Sequence, residues 1–173
     1  MYTLCIIGAI MTVLNEGSIQ TVQARQTADL NSILDLAWAA GFIDGEGCIH
    51  IAPQKYGKNK EKVYYRLRLH IGQNNFEALD KVKSSLGEHG NIIPIKRTTA
   101  VNRQVYTLNY DGVHAYKVIM KLMPFLIRKK CEAQAANEFW VKGRLEEKTG
   151  RKPVRPELLK IREHWYRKLQ KLK

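Results

Sequence analysis

The chain has 173 residues, 45% of them hydrophobic, and a formal net charge of +13 from 29 Lys and Arg against 16 Asp and Glu. That suits one domain with its own core and favours a polyanionic partner, nucleic acid above all. Cys5, Cys48 and Cys131 are scattered without a C-x-x-C pair, which excludes a disulfide scaffold and a zinc ribbon and points to a reducing, intracellular compartment.

The charge is uneven. Residues 1–54 carry one base and five acids, residues 55–123 carry 13 and five, and residues 124–173 carry 15 and six. The longest apolar run, Met1 to Leu14, is broken by Thr3 and Thr12 and has no Lys or Arg before Arg25. It is too short for a membrane span and lacks the basic start of a secretory signal, so no membrane partner is expected. Residues 1–31 read as a poorly ordered extension, with a later start at Met11 or a targeting segment as competing readings.

The spacing predicts a first helix from Ser32, where Ser32-Ile33-Leu34-Asp35 fits a capping box, to a stop at Asp44-Gly45-Glu46-Gly47. The period then becomes two. Cys48, His50, Ala52 and Gln54 share one face against Ile49 and Ile51; Tyr64, Arg66, Arg68 and His70 share one face against Val63, Tyr65, Leu67, Leu69 and Ile71. With the basic loop at 57–60 between them, these form a β-hairpin with one buried face. A helix follows, with Phe76, Leu79, Val82 and Leu86 inward and Gly87 as its stop.

A second hairpin pairs Ile92–Arg97, where Pro94 marks an edge or bulge, with Arg103–Tyr110. Helices are expected over 113–123 and 125–141. A linker over 143–156 then leads to an amphipathic helix with Leu158, Ile161, Trp165, Leu169 and Leu172 on one face. The order αββαββα plus C-terminal helices defines an α+β domain.

Ala37, Gly41 and Gly45 recur every four residues, leaving one strip of the first helix almost without side chains. Two copies could meet there, with Ala37, Ala40, Gly41 and Asp44 at the interface. The acids Asp44 and Glu46 sit at a helix C-terminus, where free carbonyls and the dipole favour a cation. A helix cap with a surface acid is the competing reading.

The stretch Ala39-Ala40-Gly41-Phe42-Ile43-Asp44-Gly45-Glu46-Gly47 resembles the signature of the LAGLIDADG homing endonucleases, identical at Ala40, Gly41, Ile43, Asp44 and Gly47. One copy is found, the pattern of the homodimeric branch. The resemblance covers about Leu34 to Val141. It implies a saddle-shaped antiparallel sheet, a DNA-binding and catalytic domain over 32–142, and a basic linker and helix over 143–173.

The same resemblance implies a Mg²⁺-dependent endonuclease, with Mn²⁺ able to substitute. Its ion would be held by Glu46 and the carbonyl of Gly45, and Glu stands where the signature has Asp. Asp44 would organise the helix end. Gln73 matches a position that orders water, and Lys129 one that balances developing charge, with Arg128 and Lys130 as rivals. The expected product is a double-strand break with short 3′ overhangs in a long, near-palindromic target, serving intron homing. An RNA-splicing maturase with intron RNA as partner, or a binder without catalysis, stays open beside it.

The polar strand faces are the expected double-stranded DNA surface, since a β-ribbon fits the major groove. His50, Gln54, Arg66, Arg68, His70, Arg103, Thr107 and Asn109 would reach bases, and Lys55, Lys58, Lys60 and Arg97 phosphates. The five histidines form no H-E-x-x-H and pair with no cysteine at ligand spacing, so they read as structural or DNA-facing.

Overall fold

Alternating apolar residues can all be buried on one side only if the backbone stays extended. In the computed structural model, which describes residues 25–58, 62–96, 103–145 and 154–173, the two alternating stretches are β1 (Gly47–Tyr56) and β2 (Lys62–Gln73). Chain contacts divide the molecule into two compact units, residues 1–35 and 36–173. In the first, residues 25–35 are helical and mostly exposed, so Ser32 lies within a helix and does not cap its start. No Gly or Pro between 25 and 32 interrupts it. Residues 1–24, and with them Cys5 and Met11, lie outside the described residues.

The second unit begins with α1 (residues 36–46), which runs directly into β1. After β2 come α2 (Phe76–Leu86), β3 (Asn91–Pro94), β4 (Tyr106–Asp111), α3 (Val113–Leu122), α4 (Lys130–Lys142) and α5 (Pro156–Lys171). The sheet is antiparallel in the order β1-β2-β4-β3. Pro94 falls on the edge strand β3, where a missing N–H costs no ladder bond.

Ile49, Ile51, Leu67, Leu69, Ile71, Leu108 and Tyr110 point to one side of the sheet and are fully buried. They meet Ala39, Ala40 and Ile43 of α1, Leu79 and Val82 of α2, Val118 and Ile119 of α3, and Ala136 and Phe139 of α4 in one core. Each large aliphatic contributes about 1.5–3 kcal/mol of burial. Asn75 caps α2 by accepting from Ala78 N at 3.0 Å, and Gly87 ends it at φ 62°. Among the described residues no helix is long and apolar enough to cross a membrane.

Several expectations change. The helix expected from Phe125 starts at Lys130, because the backbone N–H groups of 127–129 are bound from outside their own segment. Phe76 is exposed and stacks edge-on with Tyr106 rather than joining the core. On α5 the buried face is Leu158, Arg162, Trp165 and Leu169, while Ile161 and Leu172 are exposed. Arg162 is tolerated there because its Nε donates to the carbonyl of Gly143 at 2.9 Å. Lys60, Arg97 and linker residues 146–153 lie outside the described residues.

Candidate active site and nucleic-acid interface

The junction of α1 and β1 has no loop. A Cβ on Gly47 would lie 2.7 Å from the Ile43 side chain and 2.8 Å from its carbonyl oxygen, so only glycine lets the strand leave the helix this closely. The helix continues through Glu46, within the expected stop at Asp44-Gly45-Glu46-Gly47, but neither Gly45 nor Gly47 adopts positive φ.

This geometry sends Asp44 and Glu46 to different surroundings. Asp44 Oδ2 accepts from the backbone N–H of Ile127 at 2.7 Å and of Arg128 at 3.1 Å, and Oδ1 from Lys129 at 2.9 Å. Burial works to raise the Asp44 pKa, but these three N–H groups and the Lys129 charge together hold it below the usual carboxylate range. Lys129 is buried and its Nζ donates to the Asp44 carbonyl at 2.6 Å. Asp44 therefore ties the end of α1 to the entry of α4 and is turned into its own chain. Glu46 is exposed, and its carboxylate has no ion pair or hydrogen bond among the described residues.

The register places Gly47 opposite Ile71, so Gln73 ends β2 at the same edge of the sheet as Glu46. Its Oε1 accepts from Asn74 N at 2.8 Å. On the outer side of α1, Ala37, Gly41 and Gly45 are exposed, and nothing lies within 4 Å of a Cβ built on Gly41 or Gly45. Ala40, read from the sequence as part of that strip, is instead wholly buried in the chain's own core. Successive residues on a helix point 100° apart, and the face bearing Ala39, Ala40 and Ile43 is the one turned inward.

The other side of the sheet gathers the polar strand residues. His50 pairs with Arg68, Gln54 with Tyr64, His70 with Asn109, and Thr107 with Gly72. Arg66 lies 5.9 Å above the Tyr64 ring, and Tyr64 Oη donates to Gln54 Oε1. Lys55 is exposed near the hairpin end with the opposite parity to Gln54, Lys58 is exposed in the turn beyond, and Arg103 is exposed just before β4. An acid on this face escaped the sequence reading of β2: Asp111, opposite Arg68 on β4, binds its Nε at 2.7 Å. Cross-strand pairing, invisible in either strand alone, brings the two together.

The reading also missed a cluster of Cys48, His50 and His70. Their ligand atoms lie within 4.8 Å of one another, and the imidazole rings meet edge-on with centroids 4.8 Å apart. Burial first, then His70 and Lys173, push the His50 pKa down to about 4. Burial, Lys173 and Arg68 lower His70 as well. Lys173 Nζ lies 2.9 Å from Cys48 Sγ.

Comparison with known proteins adds the following. The sequence model described as LAGLIDADG endonuclease matches residues 39–139. No curated protein sequence matches the chain. Among solved structures, the homing endonuclease I-CvuI, in complex with DNA targets, superposes with TM-score 0.66 and 23% identity over 83% of this chain and 84% of that one. The archaeal intron-encoded homing endonuclease I-Vdi141I, complexed with DNA, gives TM-score 0.61 and 22% identity over 84% and 86%. I-SmaMI gives TM-score 0.55 and 18% identity over 75% of this chain but only 42% of its own.

Proposed function

Because the chain belongs to the LAGLIDADG endonuclease family, we propose that it is a site-specific DNA endonuclease, working as a homodimer and using a divalent ion to cut both strands of a long, near-palindromic target. The observation that carries this reading is the division of labour between two acids at one helix end. Asp44 is consumed by three backbone N–H groups, whereas Glu46 is exposed and unengaged among the described residues. A single carboxylate beside a helix-terminal carbonyl is an oxygen donor set that suits Mg²⁺, which keeps several waters and takes phosphate oxygens. Mn²⁺ would substitute.

Glu46, with the carbonyl of Gly45, would hold the ion, one acid from each subunit. When bound, the ion polarises the scissile phosphate and makes its water a better nucleophile. The chain supplies the rest. Gln73, at the same sheet edge, orients the attacking water through its amide. Lys129, fixed on the Asp44 carbonyl at 2.6 Å, keeps a positive charge close to where the phosphate becomes more negative. His50, Gln54, Arg66, Arg68, His70, Thr107 and Asn109 present a polar β-surface to the major groove. Arg103, Lys55 and Arg97 serve the flanking backbone and bases.

Dimerisation follows from the outer strip of α1. A face of Ala37, Gly41 and Gly45 buries little unless another close-packing surface covers it, and a second copy is self-complementary. The match to less than half of the longer I-SmaMI chain is consistent with a half-size unit. In this reading residues 32–142 bind and cut DNA, residues 1–31 are an extension, and residues 143–173 support the core and add phosphate contacts. The biological setting is intron homing.

The test is a cleavage selection on a randomised double-stranded DNA library with Mg²⁺, with Ca²⁺ in parallel. Recovery of one near-palindromic target, cut only with Mg²⁺ or Mn²⁺, supports the reading. Full protein that binds a DNA target yet cuts nothing with either ion would overturn it.

A further inference from the structure

We propose that Cys48, His50 and His70 form a binding site for one Zn²⁺-class ion on the polar side of the sheet, separate from the acidic end of α1. The site is assembled by strand register. Cys48 stands directly opposite His70 in the β1–β2 ladder, and His50 follows two residues later on the same side of β1. All three donor atoms lie within 4.8 Å of one another. Tetrahedral zinc with bonds of about 2.0–2.3 Å sets its ligands roughly 3.3–3.8 Å apart, so small side-chain rotations close the site.

The donor chemistry selects the ion. One thiol and two imidazoles, with no carboxylate among them, suit a borderline-soft ion and not Mg²⁺ or Ca²⁺. A second observation points the same way. His50 Nδ1 is buried and makes no hydrogen bond among the described residues. Such an orphaned nitrogen is costly unless something binds it. A cation already rests on the sulfur, since Lys173 Nζ lies 2.9 Å from Sγ. The ion would displace that flexible ammonium, leaving water or solvent as its fourth ligand. Arg68, which acts on both rings, is paired with Asp111.

The inference does not depend on the nuclease reading, and its test does not use cleavage. Full-length reduced protein, stripped of metal, is titrated with Co²⁺ at pH 7. One equivalent should produce a thiolate-to-cobalt charge-transfer band and tetrahedral d–d absorption, both bleached by Zn²⁺ and unaffected by Mg²⁺. Cys48→Ser should abolish the charge-transfer band, and His50→Ala or His70→Ala should weaken binding at least ~10-fold. Cys5→Ser and Cys131→Ser should leave it intact. Should the variants misfold, the wild type still answers through alkylation mapped by mass spectrometry: Zn²⁺ should protect Cys48 and not Cys131. Absence of the band in wild-type protein, its persistence in folded Cys48→Ser, or equal alkylation of Cys48 with and without Zn²⁺ would overturn the site.

Discussion

Asp44 and Glu46 leave the same helix two residues apart, and their hydrogen bonds give them opposite tasks. Replacing Asp44 by Asn leaves one accepting oxygen for three N–H groups, so at least one of these donors loses its partner. The cost should be about 1–3 kcal/mol, seen as a lower urea midpoint with unchanged slope. The effect has a pH signature. Asp44 is held below its unfolded value of 3.8. Glu88 is held below 4.5 because bonds from His114 and Lys121 outweigh burial. A depressed carboxylate stabilises fully above its unfolded pKa, and that contribution fades as pH falls through the lower folded value. The stability gap between wild type and Asp44→Asn should therefore be full at pH 5–7 and shrink below about pH 4; a gap that widened in acid would contradict the assignment. The sequence made the two acids and their helix end legible. It could not show the partners of Asp44, which come from residues more than 80 positions away.

At the scale of elements, strands β1 and β2 could be read directly, because period-two alternation over ten or more residues leaves few other solutions. The start of α4 could not. Residues 125–129 carry helical periodicity, but the N–H groups of Phe125 and Leu126 turn back to the Leu122 carbonyl, and a carboxylate from α1 takes those of 127–129 in place of a first turn. The buried Arg162 was equally hidden, since it donates to the backbone carbonyls of Gly143 and Arg144 in the turn after α4. Helix α1 yields a clean mutational separation. Nothing lies within 4 Å of a Cβ at Gly41, so Gly41→Leu should fold at least as well as wild type, with a helix-propensity gain of up to ~1 kcal/mol. Yet it should abolish the dimer by holding two helices apart. Analytical ultracentrifugation beside thermal melting checks both halves; loss of fold together with dimer would contradict the open face. Gly47→Ala should show the converse, destabilising the monomer itself through its 2.7 Å clash with Ile43.

The whole molecule carries +13, concentrated after residue 54. A dimer making at least ~6 phosphate contacts should lose ~10³ in DNA affinity between 50 and 200 mM salt, with log K falling about 0.9 per contact against log salt. A flat titration by fluorescence anisotropy would speak against a DNA partner. The fold links this surface to the chemistry through one short path: the polar side of β1 begins at Cys48, two residues after Glu46. Binding and cutting should nevertheless separate, because base contacts and the acid belong to different residues. The most direct test is therefore Glu46→Gln on the target recovered from the selection, assayed for both cleavage and affinity. The account predicts that Mg²⁺-dependent cleavage disappears while sequence-specific binding and melting temperature stay at wild-type values. A Glu46→Gln protein that cuts at the wild-type rate would contradict it.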